Sequence, residues 1–290
     1  MRPLDDGDVQ MRRYHFQQAD VFSREPLMGN PVAVVVGADG LSDDKMAALA
    51  RWTNLSETTF LLNPTTPEAD YRLRIFTPGG ELPFAGHPTL GSCHVWLASG
   101  GQPKGSDVVQ ECGIGQVRVR REGERLAFAA PPLRRSGPVE PDVLDQIVRS
   151  LRIATETVRA AHWVDNGPGW VAVMLPDRKD VLSLAPDFGA MAGLKIGVIG
   201  PWKSTPDSPG PNFEVRAFVP SLGVPEDPVT GSLNAGLAQW LIGAGIAPEH
   251  YVVSQGTALG RAGRVHVRQD GSDIWVGGHV VSCIAGTLTI

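Results

Sequence analysis

The chain has 290 residues, about two average domains, and can bury a core without help from disulfides or metals. Apolar residues make up 42% and charged residues 20%, which places it among folded globular chains and outside the disordered class. Lys plus Arg number 26 against 31 Asp plus Glu, and a net charge of −5 offers no general field for nucleic acid or an anionic membrane.

From the N-terminus, "MRPLDDGDVQ" reads as a loose polar tail with no signal-peptide apolar segment. "PVAVVV" from Pro31 suits a buried strand, and no apolar run reaches the roughly 18 residues of a membrane-spanning helix. "LSDDKMAALARW" predicts a helix with Ser42 at the N-cap, Asp43 and Asp44 in the first turn, and Leu41 stapled against Met46. "TNLSETTFLL" sets Glu57 just before a strand, and "RIFTP" from Arg74 is an alternating strand closed by proline. "ELPFAGHPTLGSCHVWL" then turns into a helical run with His87 at its start. The basic stretch "RVRREGER", Arg118 to Arg125, is interleaved with Glu122 and Glu124 and reads as a solvated hairpin face. "APPLRRSGPVEP", Ala130 to Pro141, is the expected interdomain linker, and "PDVLDQIVRSL" a helix with Pro141 at N1. "STPDSPGPN", Ser204 to Asn212, is a loop rich in turn residues. Cys93, Cys112 and Cys283 show no CxxC spacing, so a reducing cytoplasm is the default location.

The elements recur in order. "VAVVV" at Val32 answers "VAVML" at Val171, "RIFTP" at Arg74 answers "RAFVP" at Arg216, and two helical runs end at Trp96 and Trp240. Finally "VRVRREGERLAF" at Val117 matches "VHVRQDGSDIWV" at Val265 without a gap, with Glu-Gly or Asp-Gly at the hairpin turn. Strand, turn and helix recur in any α+β chain, but four matches in order favour duplication: two similar domains facing a shared cleft.

Both helix starts follow a proline, Pro83 and Pro225. In "PEDPVTGSLNAG", Asp227, Thr230, Gly231 and Ser232 stand at a helix N-terminus, where free N–H groups and the helix dipole suit a carboxylate; the same pattern also reads as plain capping by Asp227 or Thr230. His87 at the other start reads either as a structural residue or as a neutral hydrogen-bonding imidazole, since the positive dipole end disfavours a charged ring. His94 lies seven residues on, roughly 10 Å along a helix axis, so the two cannot share a metal ion. Glu57 reads either as part of a surface turn or as a partly desolvated carboxylate fit for general acid/base work.

The segments "MGNPVAVV", "NLSETTFL", "RIFTPGGELPFAGHPTLG", "EDPVTGS", "SQGTALGRAGRV" and "VGGHVV" together resemble the PhzF family, phenazine-biosynthesis relatives within the diaminopimelate epimerase fold. The likeness runs from about Val21 to the end of the chain. It implies an α+β fold of two pseudo-symmetric domains, residues 11–130 and 131–279, each an incomplete β-barrel around a central helix. Residues 280–290 would return to the first domain, and a homodimer is the family habit.

The fold's racemases use one cysteine per domain; here neither matching turn holds one, which sets a two-thiol mechanism aside. The resemblance instead implies a cofactor-independent and metal-free isomerase of the trans-2,3-dihydro-3-hydroxyanthranilate type, acting on a small cyclic or amino-acid-like carboxylate. Glu57 would carry the proton, His87 and Asp227 would assist, and the N–H groups of Gly86, Gly231 and Ser232 would hold the carboxylate. A non-cysteine epimerase and a binding protein without chemistry are the competing readings. The segment from Trp163 to Trp170 and the loop at Ser204 to Asn212 are the expected sources of substrate choice.

Overall fold

The computed structural model describes residues 11–203 and 210–290; the polar tail and most of the loop expected at Ser204 to Asn212 lie outside them. The first half of the chain forms β1 (Arg13–Val21), β2 (Asn30–Val36), α1 (Asp43–Thr53), β3 (Glu57–Leu62), β4 (Tyr71–Thr77) and β5 (Gly80–Leu82). It continues through α2 (Gly86–Ala98), β6 (Val108–Cys112), β7 (Gly115–Glu122) and β8 (Arg125–Ala129). The second half supplies β9 (Arg135–Pro138), α3 (Pro141–Leu151), β10 (Ala160–Asp165), β11 (Trp170–Met174), α4 (Arg178–Leu182) and β12 (Lys195–Pro201). After these come β13 (Phe213–Val219), β14 (Val224–Asp227), α5 (Gly231–Gly243), β15 (His250–Gln255), β16 (Gly263–Asp270), β17 (Asp273–Gly278) and β18 (Val280–Thr289).

The pairing of these strands shows the duplication directly. One half runs β18-β1-β2-β3-β4-β6-β7-β8 and the other β9-β10-β11-β12-β13-β15-β16-β17. The sense matches at every step: β2–β3 and β4–β6 are parallel in the first, β11–β12 and β13–β15 in the second, and the remaining neighbours are antiparallel. β5 and β14 each form a short hairpin with the strand before them. The halves join where β8 meets β17, Leu126 to Ala129 against Gly278 to Trp275. The matched hairpins β7–β8 and β16–β17 turn on two residues, with Gly123 (φ 65°) and Gly271 (φ 60°) at the first, where a side chain would be strained.

Each curved sheet wraps one central helix. α2 is buried from Gly86 through Cys93 and α5 from Gly231 through Ala238, so over these turns neither shows a face to solvent. A helix apolar all round is stable only inside a core. Small residues allow the close fit: a Cβ on Gly91 would stand 2.4 Å from a Val32 methyl, and one on Gly236 would stand 2.2 Å from the Val164 carbonyl oxygen. α1 packs outside the first sheet, with Ser42 accepting from the Lys45 N–H and Leu41 and Met46 in one apolar cluster.

Two features differ from the sequence expectation. The linker expected at Ala130 to Pro141 contains β9, which pairs with β10 as β18 pairs with β1. A four-residue strand of Arg, Ser, Gly and Pro carries no alternating apolar signal, so only its partner defines it. The basic hairpin face is solvated but not free: Arg118 and Arg120 stack over Trp275 and pair with Asp273 and Asp270. Among the described residues no helix is long and apolar enough to cross a membrane.

Candidate active site

The two central helices meet nose to nose. A Cβ added to Gly86 would stand 2.7 Å from the Gly231 Cα, and one added to Gly231 would stand 2.8 Å from the Gly86 Cα. Only glycine at both positions lets the two helix starts approach this closely. Neither helix has a side-chain cap: Ala85 precedes α2, and Thr230 precedes α5 without bonding to its first turn. Two positive dipole ends and their open N–H groups therefore converge on one cleft.

This cleft is narrow, with about 40 Å³ of enclosed space, and is lined by Glu57, His87, Asp227, Gly86, Gly231 and Ser232. All six residues picked out from the sequence thus face one space. Its remaining walls include Leu82, Phe84, Trp170, Val219 and Val224, and among the described residues no Lys or Arg lines it. A bound anion would be met by backbone N–H groups and hydroxyls instead of a lysine or arginine side chain.

Glu57 starts β3 and His87 is the second residue of α2; both are buried. Glu57 Oε2 and His87 Nε2 are 3.1 Å apart, yet the approach lies off the line of a hydrogen bond, and neither atom has another partner among the described residues. Asp227 ends β14 and takes a 2.6 Å hydrogen bond from the Thr230 hydroxyl and a 2.8 Å bond from Asn30 Nδ2. The same Asn30 amide nitrogen donates to the Val229 carbonyl and lies 3.2 Å from His87 Nδ1. Asn30 heads β2, is fully buried, and ties the catalytic candidates of the two halves together.

Protonation follows from burial and crowding. Burial pushes Asp227 up to about 6, helped by the Glu57 carboxylate and opposed by His87, Thr230 and Asn30. Burial works against a charged His87, but the Glu57 and Asp227 carboxylates outweigh it and raise the ring above its ordinary value of 6.5. The neutral imidazole expected from the helix dipole is corrected here: the Glu57 carboxylate 3.1 Å away and the nearby charge of Asp227 outweigh the partial charge of a helix end.

On the second-half side, Gln255 accepts from the Thr230 N–H and from Asn234, and donates to the Thr230 hydroxyl. Thr230 relays this by donating to Asp227, which answers the capping question: its hydroxyl serves the carboxylate and not the helix. The first donors left open on α5 are the N–H groups of Gly231 and Ser232. Trp170 donates to the Ser232 hydroxyl and Asn166 to the Ser232 carbonyl, which brings in the segment from Trp163 to Trp170. No cysteine lines the cleft among the described residues, and Cys93 lies inside α2 with its thiol pushed up to about 12 by burial.

Sequence reasoning missed Asn30 and Gln255. A lone Asn before a strand reads as a turn residue, and Gln255 sits in "VVSQGT" with nothing to mark it as buried. Their roles depend on the crossing of two halves, which no local pattern records.

A cleft between two like half-barrels, closed by paired helix starts, thus holds Glu57, His87 and Asp227 together and buried. The PhzC-PhzF family, described as phenazine biosynthesis-like protein, matches residues 19–286, and the chain belongs to that family. Trans-2,3-dihydro-3-hydroxyanthranilate isomerase of Pseudomonas chlororaphis is 32% identical, covering 96% of this chain and 100% of that one. Antisense-enhancing sequence 1 of Schizosaccharomyces pombe is 38% identical, covering 95% and 99%. A PhzF family structure from Enterococcus faecalis superposes with a TM-score of 0.79 at 25% identity over 96% of this chain and all of that one. A hydroxyproline epimerase from Agrobacterium vitis shares the fold alone, with a TM-score of 0.56 at 10% identity, over 97% of this chain and 92% of that one.

Proposed function

We propose that the chain is a cofactor-independent isomerase that moves a proton within a small cyclic carboxylate of the trans-2,3-dihydro-3-hydroxyanthranilate type. The observation that carries this reading is the 3.1 Å approach of Glu57 to His87 in a buried cleft whose end is formed by two uncapped helix starts. The carboxylate of the substrate sits on the Gly86, Gly231 and Ser232 N–H groups, which holds the ring over Glu57. Glu57 takes the proton from the sp3 ring carbon that bears the hydroxyl, and the electron pair left behind joins the conjugated double bonds of the ring. It then returns the same proton to the far end of the shifted double bond on the same face. His87 and Asp227 hold the amine or hydroxyl and stabilise the charge that builds up meanwhile.

The test is turnover of trans-2,3-dihydro-3-hydroxyanthranilate in heavy water. The wild type is expected to give the double-bond isomer, and Glu57→Gln to lose about a thousandfold in kcat/KM. Deuterated starting material of inverted configuration would mean epimerase chemistry instead. Unchanged turnover in Glu57→Gln, or none in the wild type, defeats the reading.

A further inference from the structure

Away from the cleft, one outer surface crosses the junction of the two halves, where β8 meets β17. Arg125 starts β8, and His266 and Arg268 lie on β16, the strand beyond β17. Gly277 of β17 pairs with both His266 and Ala127, and a Cβ there would stand 2.4 Å from the Leu126 carbonyl oxygen. With no side chain in the way, the Arg125 guanidinium reaches across and donates to His266 Nδ1 at 2.7 Å. Arginine can only donate, so Nδ1 is the bare nitrogen and Nε2 carries the proton. Burial and the Arg125 charge act in the same sense and hold the His266 ring down to about 4.

The groups around this contact line a depression of about 310 Å³ that is rich in donors. Arg125 makes that one hydrogen bond and meets no carboxylate at ion-pair range among the described residues, so most of its N–H groups are left to offer. A half-buried cation resting on a neutral ring is a charge without its counter-ion. Arg268, two residues along from His266, is exposed and has no side-chain partner among the described residues. Asn212 turns its Oδ1 to the Val252 N–H at 2.9 Å, which leaves its Nδ2 group as a donor on the other side. Glu122 is the one carboxylate in the wall among the described residues, and Arg120 already meets its charge through Nε and Nη2 at 2.9 and 2.5 Å.

We infer that this depression binds the phosphate of a small phosphate monoester, with Arg125 and Arg268 on its oxygens and the His266 Nε2–H and the Asn212 amide completing the grip. Two guanidiniums and two neutral donors match the double charge and three terminal oxygens of such a group better than the single charge and two oxygens of a carboxylate. The space is larger than a phosphate alone, so the esterified group lies in it as well. Arg125 belongs to the first half and the other three donors to the second, so the occupant ties the halves together at their seam. The site is separate from the Glu57 cleft and stands or falls apart from the proposed isomerisation.

Calorimetric titration of the full chain with glycerol 2-phosphate, at constant ionic strength, tests this. The wild type should bind one equivalent, and Arg125→Gln and Arg268→Gln should each weaken binding about tenfold. Arg118→Gln removes a cation of the same outer surface that is already paired with Asp273, and should bind like the wild type. Arg268 is exposed, so its variant keeps the test decisive even where Arg125→Gln loosens the seam, which thermal melts of each variant would register. The inference falls if the wild type does not take up the ester or if Arg268→Gln binds it like the wild type. It also falls if Arg118→Gln weakens binding as much as Arg268→Gln, the mark of a general surface field. Inorganic phosphate binding as tightly as the ester would overturn the assignment to a monoester and make the free ion the occupant.

Discussion

In the first half Arg74 on β4 grips Glu81 on β5 through Nε and Nη2, at 2.8 and 2.7 Å; in the second, Arg216 on β13 grips Glu226 on β14 the same way, at 2.9 and 2.7 Å. Each guanidinium also stacks on the aromatic two residues along, Phe76 or Phe218. The device is duplicated, but its setting is not. The Arg74–Glu81 side chains are 19% and 42% exposed, and the Arg216–Glu226 pair 8% and 7%. Arg216 further donates to the Leu184 and Val181 carbonyls. Glu226 stands directly before Asp227, whereas Glu81 precedes Leu82, a wall residue. The hairpin that ends in a charged cleft residue has sunk its latch into the core.

This contrast sets the order of expected effects. Arg216→Ala would leave Glu226 buried without its cation, and should destabilise the fold by about 3–5 kcal/mol in denaturant unfolding. A loss no larger than that of Arg74→Ala would break the comparison. Next is the pH dependence of Asp227, whose folded-state value of about 6 lies above its ordinary 3.8. The folded chain binds the proton more tightly than the unfolded one, so stability falls as pH rises through this window. Against Asp227→Asn, the wild type should lose roughly 3 kcal/mol between about pH 4 and pH 6 and level off above. The contribution of His87 has the same sign and lies higher, being lost as pH rises past its ordinary 6.5. Equal unfolding curves at pH 4 and pH 7 would remove the crowding account.

Gly86→Ala and Gly231→Ala push against each other's backbone, so each should cost about 1–3 kcal/mol by overpacking and weaken binding of 3-hydroxyanthranilate. Thermal melts of the two variants should agree closely, since the contact is mutual; a harmless change at either position would show that the halves can part. The smallest effect belongs to Arg74→Ala, at about 1 kcal/mol or less, because its partly exposed pair is screened by water.

Much of this arrangement is legible in the sequence because duplication writes it twice. The matched strands at Val32 and Val171 occupy equivalent places in the two sheets, and the hairpins at Val117 and Val265 form with the expected turns. Glu57, His87 and Asp227 could be picked out because each stands where an element starts or ends, and the structure brings them to one cleft. Asn30 could not, since its amide acts across the boundary on a carboxylate 197 positions away. The proton state of His87 was out of reach for the same reason: the dipole of its own helix is local information, but the neighbouring carboxylates are not. β9 escaped because a short polar strand has no period of its own.

The return of β18 to the first sheet governs when that half can be completed during synthesis. β9 lies just ahead of the half it completes, but β18 follows everything else and closes the sheet begun by β1. A ribosome that has released β1 through β8 has exposed a sheet open at both ends, and its β1 edge persists until β18 has emerged, after β17 has already reached β8. The half that is translated first is therefore the last to be finished, and its unpaired edge is where nascent chains would pair wrongly or meet a chaperone.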